Sequence, residues 1–172
     1  LGACVHAHDP ARLPAAVRER AALHALDAIG LALASHTQDY AGPALAGLRA
    51  VAGAGPCTVL GDAAPLAPRD AALANGLLMH GLDYDDTHLA SIVHPTAASL
   101  PAALAMAEAL GRGWDEMLDA YVLGAEVAIR LGASVRGGFH HVGFHATGVV
   151  SHFASALVAG RLMGLPAERL VA

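Results

Sequence analysis

A segment rich in aspartate and histidine, MHGLDYDDTHLASIVHP, occupies residues 79–95. Its three carboxylates fall within four positions. They repel one another unless a positive group or a shared proton reduces the repulsion. One interpretation is a solvated acidic turn, in which Asp86 or Thr87 caps the local backbone. The other is a functional site, whose candidate members are His80, Asp83, Asp85, Asp86, Thr87, His88 and His94.

A second unusual segment, GGFHHVGFHATG, occupies residues 137–148 and contains His140, His141 and His145. With histidine counted as neutral, no charged residue occurs between Arg136 and Arg161. A lone histidine in such surroundings is usually a core residue whose hydrogen bonds are satisfied. Three histidines among glycines, which give the backbone freedom, instead predict a cavity lined by imidazoles.

Together the two segments predict a site of aspartate and histidine, which could do two kinds of chemistry. Neutral imidazoles and carboxylates bind divalent metals. The same groups can move protons, because histidine titrates near neutrality and a carboxylate can orient it or act as a base. The sequence contains no HExxH motif, and the adjacent His140 and His141 would point apart on most backbones. The spacing therefore favours proton transfer, with a metal-dependent hydrolase or metal-binding protein as the alternative.

The composition restricts what surrounds this site. The chain has 172 residues, enough for one domain, with 55% hydrophobic and 15% charged residues and a net charge of −5. All of its basic residues are arginine and none form a run, so nucleic-acid binding is not expected. The uncharged stretch 137–160 could span a bilayer by length, but its histidines argue against a membrane span. Two isolated cysteines indicate no disulfide framework, and we expect a cytoplasmic protein.

The elements that must position the site are predicted to be helices, giving an all-α fold of mostly antiparallel helices. Leu23, Leu26, Ile29 and Leu33 share one stripe, and such spacing indicates a helix. The next-to-last long helix should end at Gly132, and a loop should follow over residues 136–145. The segment 57–61 could be a short strand or extended chain. The helix after the acidic loop could begin at Pro95 with His94 as its cap, or be capped by Ser99. Five predicted helices cover residues 14–35, 43–52, 68–82, 114–131 and 146–163. A further helix, whose start is left open, ends at the turn 111–113.

The run ANGLLMHGLDYDDTH…HPTAASLPAALAMAEALG, followed by GAEVAIRL and GFHATGVVSHFASALVAGRLMGL, resembles the MmgE/PrpD family. The resemblance extends from about residue 13 to the end of the chain. The family includes 2-methylcitrate dehydratase, cis-aconitate decarboxylase and iminodisuccinate epimerase. The resemblance implies a large all-α domain with a smaller α/β lid, a homodimer, and an active site between the two domains that needs no metal or organic cofactor.

The resemblance also implies roles for individual residues. Asp83, His94 and His145 match family positions of the active site and are predicted to be catalytic, with the two histidines as the acid/base pair. The segment GFHHVGFH offers two matches to the family's GFH motif, and counting back from RLMGL selects the second. The predicted substrate-binding residues are Thr87, Asp86 and His140.

The resemblance leads us to expect an N-terminal fragment, a single incomplete helical domain over residues 1–172. The lysines that the family uses and its lid are absent, so we expect an incomplete site and association with the missing segments or a homodimer. The expected reaction is lyase or isomerase chemistry on a small di- or tricarboxylate, like that of 2-methylcitrate dehydratase in propionate metabolism. A non-catalytic helical interaction remnant is a further alternative.

Overall fold

A computed structural model describes residues 2–170, and this part of the chain is helical without a β-strand. The all-α prediction is therefore confirmed. Two short 3₁₀ turns occur at Pro10–Arg12 and Ala167–Arg169. The α-helices of the described residues are α1 (Gly2–His6), α2 (Ala15–Ser35), α3 (Ala41–Arg49), α4 (Pro68–His80), α5 (Pro95–Leu110), α6 (Trp114–Ser134), α7 (Gly138–His141) and α8 (Ala146–Leu162).

Helix α5 forms the centre of the fold, because α4, α6 and α8 all pack directly against it. Its sequence is apolar on every side, which is typical of a helix surrounded by others. Small side chains permit this close packing, and Ala98, Ser99 and Ala103 are each at most 1% exposed. The N-terminal end of this central helix is consequently held by three neighbouring helices, and it is the end that carries His94.

Helix α2 is where sequence predicts it, but a different face is buried. Its buried positions are alanines, namely Ala21, Ala25, Ala28 and Ala32. The stripe that indicated the helix is largely exposed, with Leu23 at 52%, Leu26 at 66% and Leu33 at 51%. Alanine allows α2 to approach α4 closely, so the small residues rather than the leucines mark the buried face.

The expected end of the sixth helix is wrong. Helix α6 continues through Gly132 to Ser134, because this glycine serves close packing rather than helix termination. Of the two conformations left open for 57–61, the structure has extended chain, and among the described residues Cys57 pairs only with Leu66, in an isolated antiparallel bridge. Of the two starts weighed for α5, the helix begins at Pro95 with His94 as N-cap. The loop expected over residues 136–145 contains the single turn α7.

In the part of the chain that the structure describes, no helix combines the length and apolar character needed to cross a membrane.

Candidate active site

Helix ends bring the aspartate- and histidine-rich segments together. His80 is the last residue of α4, His94 is the N-cap of α5 and His145 is the N-cap of α8. We call His80, His94, His140 and His145 the imidazole cluster. The ring centroids of His80 lie 4.7 Å from His94 and 5.5 Å from His145. His94 and His145 are 6.3 Å apart, and His140 lies 6.1 Å from His145.

Asp85 lies at the buried base of the imidazole cluster, with only 2% of its side chain exposed. Its two carboxylate oxygens lie 3.0 and 3.1 Å from Nδ1 of His80. Its Oδ1 also lies 3.3 Å from Nδ1 of His94. A carboxylate buried this deeply costs free energy unless it is paired and hydrogen-bonded, and these imidazoles provide its partners.

His94 is surrounded by groups from the acidic segment. Its Nδ1 lies 3.3 Å from the carbonyl oxygen of Asp85 and 3.4 Å from Oγ1 of Thr87. Its Nε2 lies 3.5 Å from Oδ1 of Asp83, whose side chain is 78% exposed. The structure thus places the predicted residues Asp83, Thr87 and His94 beside one another.

His145 is exposed at the edge of the imidazole cluster, and its ring also caps α8. Its Nδ1 accepts a hydrogen bond from the backbone N–H of Gly148 across 3.4 Å. A nitrogen that accepts this bond carries no hydrogen, so the neutral ring has its hydrogen on Nε2. The ring of His145 lies close to the rings of His80, His94 and His140. His145 follows His94 by about fifty residues in the sequence.

The surroundings move the pKa values of two histidines in opposite directions. The hydrogen bond to Asp85 raises the pKa of His80 above its ordinary value of 6.5, against the effect of burial. Burial lowers the pKa of His145 below 6.5, and the positive charge that His80, His94 and His140 can carry lowers it further. Two titratable groups with separated pKa values are suited to act as acid and base.

Asp86 faces away from the imidazole cluster. Its Oδ1 accepts a hydrogen bond from the backbone N–H of Thr96 across 3.2 Å, in the first turn of α5. Its Oδ2 lies 3.9 Å from Nδ1 of His24 on α2. Burial raises the pKa of Asp86. These contacts attach the acidic segment to α5 and α2, and the predicted contact of Asp86 with substrate stays a prediction.

The backbone of the acidic segment is strained at Asp83, which adopts a φ of 52°. The left-handed region is uncommon for residues other than glycine, although aspartate is among those that tolerate it best. The backbone N–H of Asp83 donates to the carbonyl of His80 across 2.9 Å, and this bond helps to hold the conformation. With the backbone in this conformation, Oδ1 of Asp83 lies 3.5 Å from Nε2 of His94.

Large apolar side chains surround the imidazole cluster and project into solvent. The acidic segment exposes Tyr84 and Leu89, at 83% and 84%. The segment 137–145 exposes Val142 and Phe144, at 71% and 59%. We call these four residues the apolar rim. The segments that carry the polar groups of the site thus also carry apolar surface, which is a common feature of contact sites for another protein surface.

Four groups of the site could hold a divalent cation. One ligand atom each from His80, Asp83, Asp85 and His94 can be chosen so that all lie within 4.8 Å of one another. Imidazole and carboxylate donors of this kind suit zinc or manganese. The carboxylate of Asp85, however, already accepts a hydrogen bond from Nδ1 of His80, and Nδ1 of His94 lies 3.3 Å from it.

His80 and Asp85 were candidates by residue type but were not among the residues selected from sequence. The signal that could have identified them is position. His80 is the last residue of a helix, and Asp85 lies five residues later, after a turn that reverses the chain. His88 was also a candidate, and its Nδ1 instead lies 2.8 Å from Oγ of Ser91 within its own loop.

Comparison with known proteins gives a consistent result. A family model described as the MmgE/PrpD N-terminal domain matches residues 1–172. A cis-aconitate decarboxylase-like protein, oryM of Aspergillus oryzae, is 29% identical over 164 residues, which cover 91% of this chain and 34% of the relative. Human cis-aconitate decarboxylase is 34% identical over 119 residues, covering 60% of this chain and 22% of the relative. The chain thus spans about a third or less of the length of these curated relatives.

Proposed function

The chain belongs to the MmgE/PrpD family, and from this premise we propose that its site carries out cofactor-independent carbon-acid chemistry on a small di- or tricarboxylate. The reaction class is that of a lyase. The names of the relatives favour decarboxylation of a substrate like cis-aconitate. Dehydration of a substrate like 2-methylcitrate, the reaction implied by the family resemblance, needs the same proton abstraction next to a carboxylate.

The observation that carries this proposal is that Asp83 lies beside His94, and that His94 and His145 cap two neighbouring helices, α5 and α8. Abstraction of a proton next to a carboxylate requires a base, a group that stabilises the developing enolate charge, and an acid that protonates carbon or a leaving group. The neutral ring of His145 carries its hydrogen on Nε2, and its pKa is lowered by burial, so this histidine is suited to act as the acid. His94 is then the base, and the Asp83 carboxylate, 3.5 Å away, can orient its ring or accept the proton itself.

The remaining predicted residues would bind the substrate. Thr87 has its hydroxyl beside His94 and can donate a hydrogen bond to a substrate carboxylate. His140 lies beside His145 on the exposed side of the imidazole cluster. The helices α5 and α8 both point their N-terminal ends at the site, and helix N-termini attract anions. His80, whose pKa is raised, can supply part of the positive charge that a di- or tricarboxylate needs.

The apolar rim supports a proposal about the environment of the site. Proton abstraction from carbon benefits from excluded water, which strengthens electrostatic interactions. We propose that a second protein surface covers the apolar rim. This surface is either a family-type lid or a second copy of the chain in a homodimer. We also propose that the protein is cytoplasmic. Light scattering on the purified protein would contradict the homodimer if it reported a 17.3 kDa monomer at all concentrations.

A metal-dependent site is the second candidate function, because of the four donor groups named above. Elemental analysis of the purified protein separates the two proposals. Metal well below one equivalent supports the proton-transfer site, whereas stoichiometric zinc or manganese supports the metal site.

Substrate binding is tested by titrating the protein with cis-aconitate, 2-methylcitrate and the monocarboxylate acetate while recording histidine ring resonances by NMR. We expect the di- and tricarboxylates to shift the resonances of His94 and His145. The resonances of His36, whose Nε2 lies 2.7 Å from the Leu60 carbonyl, should not move. Equal shifts with acetate, or no shift at millimolar concentration, would contradict the proposed substrate class and favour the non-catalytic alternative.

A further inference from the structure

The strongest unassigned feature of the site is the contact of one buried carboxylate with two imidazoles. Asp85 lies within 3.1 Å of Nδ1 of His80 through both oxygens and 3.3 Å from Nδ1 of His94 through one. The same nitrogen, Nδ1, faces the carboxylate in both rings. The rings themselves lie 4.7 Å apart, so one carboxylate bridges two neighbouring histidines that come from different helices.

The chemistry of the partners determines where each ring carries its hydrogen. An ionised carboxylate and a carbonyl oxygen accept hydrogen bonds and cannot donate them. Nδ1 of His80 faces both oxygens of the Asp85 carboxylate, so this nitrogen must be the donor. Nδ1 of His94 makes its hydrogen bond to the backbone carbonyl of Asp85 across 3.3 Å, and the Asp85 carboxylate lies at the same distance. The Thr87 hydroxyl, 3.4 Å from this nitrogen, donates its hydrogen to that carbonyl, so Nδ1 of His94 must also be a donor. In the neutral state, each ring then keeps an unprotonated Nε2.

This arrangement has a consequence for proton transfer. Nε2 of His94 lies 3.5 Å from the Asp83 carboxylate, whose side chain is 78% exposed, and this contact is longer than those of Nδ1 with Asp85, so Nε2 is the less engaged nitrogen. A histidine can act as a base only through a nitrogen that lacks a hydrogen. Because the partner of Nδ1 holds the hydrogen on that nitrogen, the His94 ring can accept a proton only through Nε2.

We infer that Asp85 is a shared positioning residue: its carboxylate fixes the Nδ1–H tautomer of His80, its carbonyl and carboxylate oxygens together fix that of His94, and Nε2 of each ring is thereby left for proton transfer. This role rests on the proposed function, because His94 belongs to the acid/base pair proposed above. It also adds His80 to the groups of the site that exchange protons. Asp85 itself, with 2% of its side chain exposed, acts only through the rings.

The chain contains a matched control in a second buried pair. Asp119, whose side chain is 4% exposed, contacts His8 across 2.8 Å, but through Nε2 of that ring. The same reasoning gives His8 the opposite tautomer, with its hydrogen on Nε2. One protein thus offers two aspartate–histidine sites with opposite expected tautomers.

The test is ¹⁵N NMR of the histidine rings in the full chain at a pH of about 9, where histidine is neutral. We expect the Nδ1–H tautomer for His80 and His94 and the Nε2–H tautomer for His8. Asp85→Asn should shift His80 towards Nε2–H, shift His94 less because the backbone carbonyl at position 85 remains, and leave His8 unchanged. Asp119→Asn should change only His8.

Three results would overturn the inference. They are an Nε2–H tautomer at His80 in the unmodified protein, an Nε2–H tautomer at His94 in the unmodified protein, and an unchanged His80 ring in Asp85→Asn. The measurement on the unmodified protein decides the question even if the Asp85→Asn variant does not fold. No substrate is used, so failure here is distinct from failure of the proposed function, which the carboxylate titration detects.

Discussion

The backbone N–H of His94 donates to Oγ1 of Thr147 across 3.0 Å, and this bond joins the two histidine-bearing segments of the site. His94 precedes α5, and Thr147 lies in the first turn of α8. The bond connects residues 53 positions apart and is shielded from water, since Thr147 is 3% exposed. The relative placement of His94 and His145 therefore depends on a specific polar contact as well as on apolar packing.

Replacing Thr147 by valine should destabilise the protein by about 1–3 kcal/mol, because the N–H of His94 would lose its buried partner. The measurement is denaturant unfolding of the variant and the unmodified protein. Thr37→Val is the control, since Thr37 is exposed and its hydroxyl bonds only to neighbours in sequence, donating to the Ala34 carbonyl and accepting from Nε2 of Gln38. It should change the free energy of unfolding by less than about 0.5 kcal/mol. Equal changes in the free energy of unfolding would show that the bond between His94 and Thr147 does not stabilise the protein.

Replacing Gly132 by alanine should destabilise the protein by roughly 1–3 kcal/mol, because there is no room for a methyl group. Its Cβ would lie 2.6 Å from Cγ2 of Val93 and 3.0 Å from Cβ of Ser91, in the segment that leads to His94. Gly30→Ala in α2 is the matched control, since its Cβ would meet nothing within 4 Å. That change should stabilise by about 0.5–1 kcal/mol through helix propensity. Thermal unfolding of both variants checks these opposite signs, and stabilisation by Gly132→Ala would refute the close packing.

The histidines of the site should titrate in a definite order, His80 above pH 6.5 and His145 below it. Asp85 and Asp83 favour the charged form of His80, whereas burial and the neighbouring His80, His94 and His140 disfavour the charged form of His145. NMR titration of the ring resonances measures both midpoints, with His80→Gln and His145→Gln to assign them. The reverse order would contradict the electrostatic account of the site.

The same shifts determine the sign of two contributions to stability. The folded-state pKa of His80 is raised, so its contribution is fully present below pH 6.5 and is lost as the pH rises through the folded value. The folded-state pKa of His145 is lowered, so its protonation penalises the folded state at low pH, and this penalty disappears as the pH rises to 6.5. Denaturant unfolding against pH should therefore give a steeper loss of stability above pH 6.5 in the unmodified protein than in His80→Gln. An identical pH dependence would contradict this sign.

The sequence predicted the helical elements better than it predicted their contacts. Periodicity and end signals located most helices, because the terminal residues and the apolar spacing act locally. The buried face of α2 could not be read from the leucines, because the close approach of α4 selects alanine there. The role of Gly132 was also misjudged, since a glycine near a helix end looks like a stop signal until Val93 is seen against it.

The site was predictable in part for a similar reason. Two segments with unusual side chains, together with the family resemblance, identified Asp83, His94 and His145 as candidates that belong together. The positions of Asp85 and Asp86 relative to one another could not be predicted, because adjacent residues in a turn can point in opposite directions. One is directed to the imidazole cluster and the other to Thr96 and His24.

Proton exchange at carbon tests the central claim most directly. Cis-aconitate and 2-methylcitrate are incubated with the protein in D₂O, and ¹H NMR follows deuterium entering the carbon next to a carboxylate, in substrate or product. The account predicts exchange above the buffer rate that falls on the order of 10²-fold or more in His94→Gln and His145→Gln, as for loss of a general acid or base. His152→Gln, an exposed histidine of α8 outside the imidazole cluster, should exchange at the unmodified rate. Exchange that is equal in all four proteins, or no higher than in buffer, would contradict it.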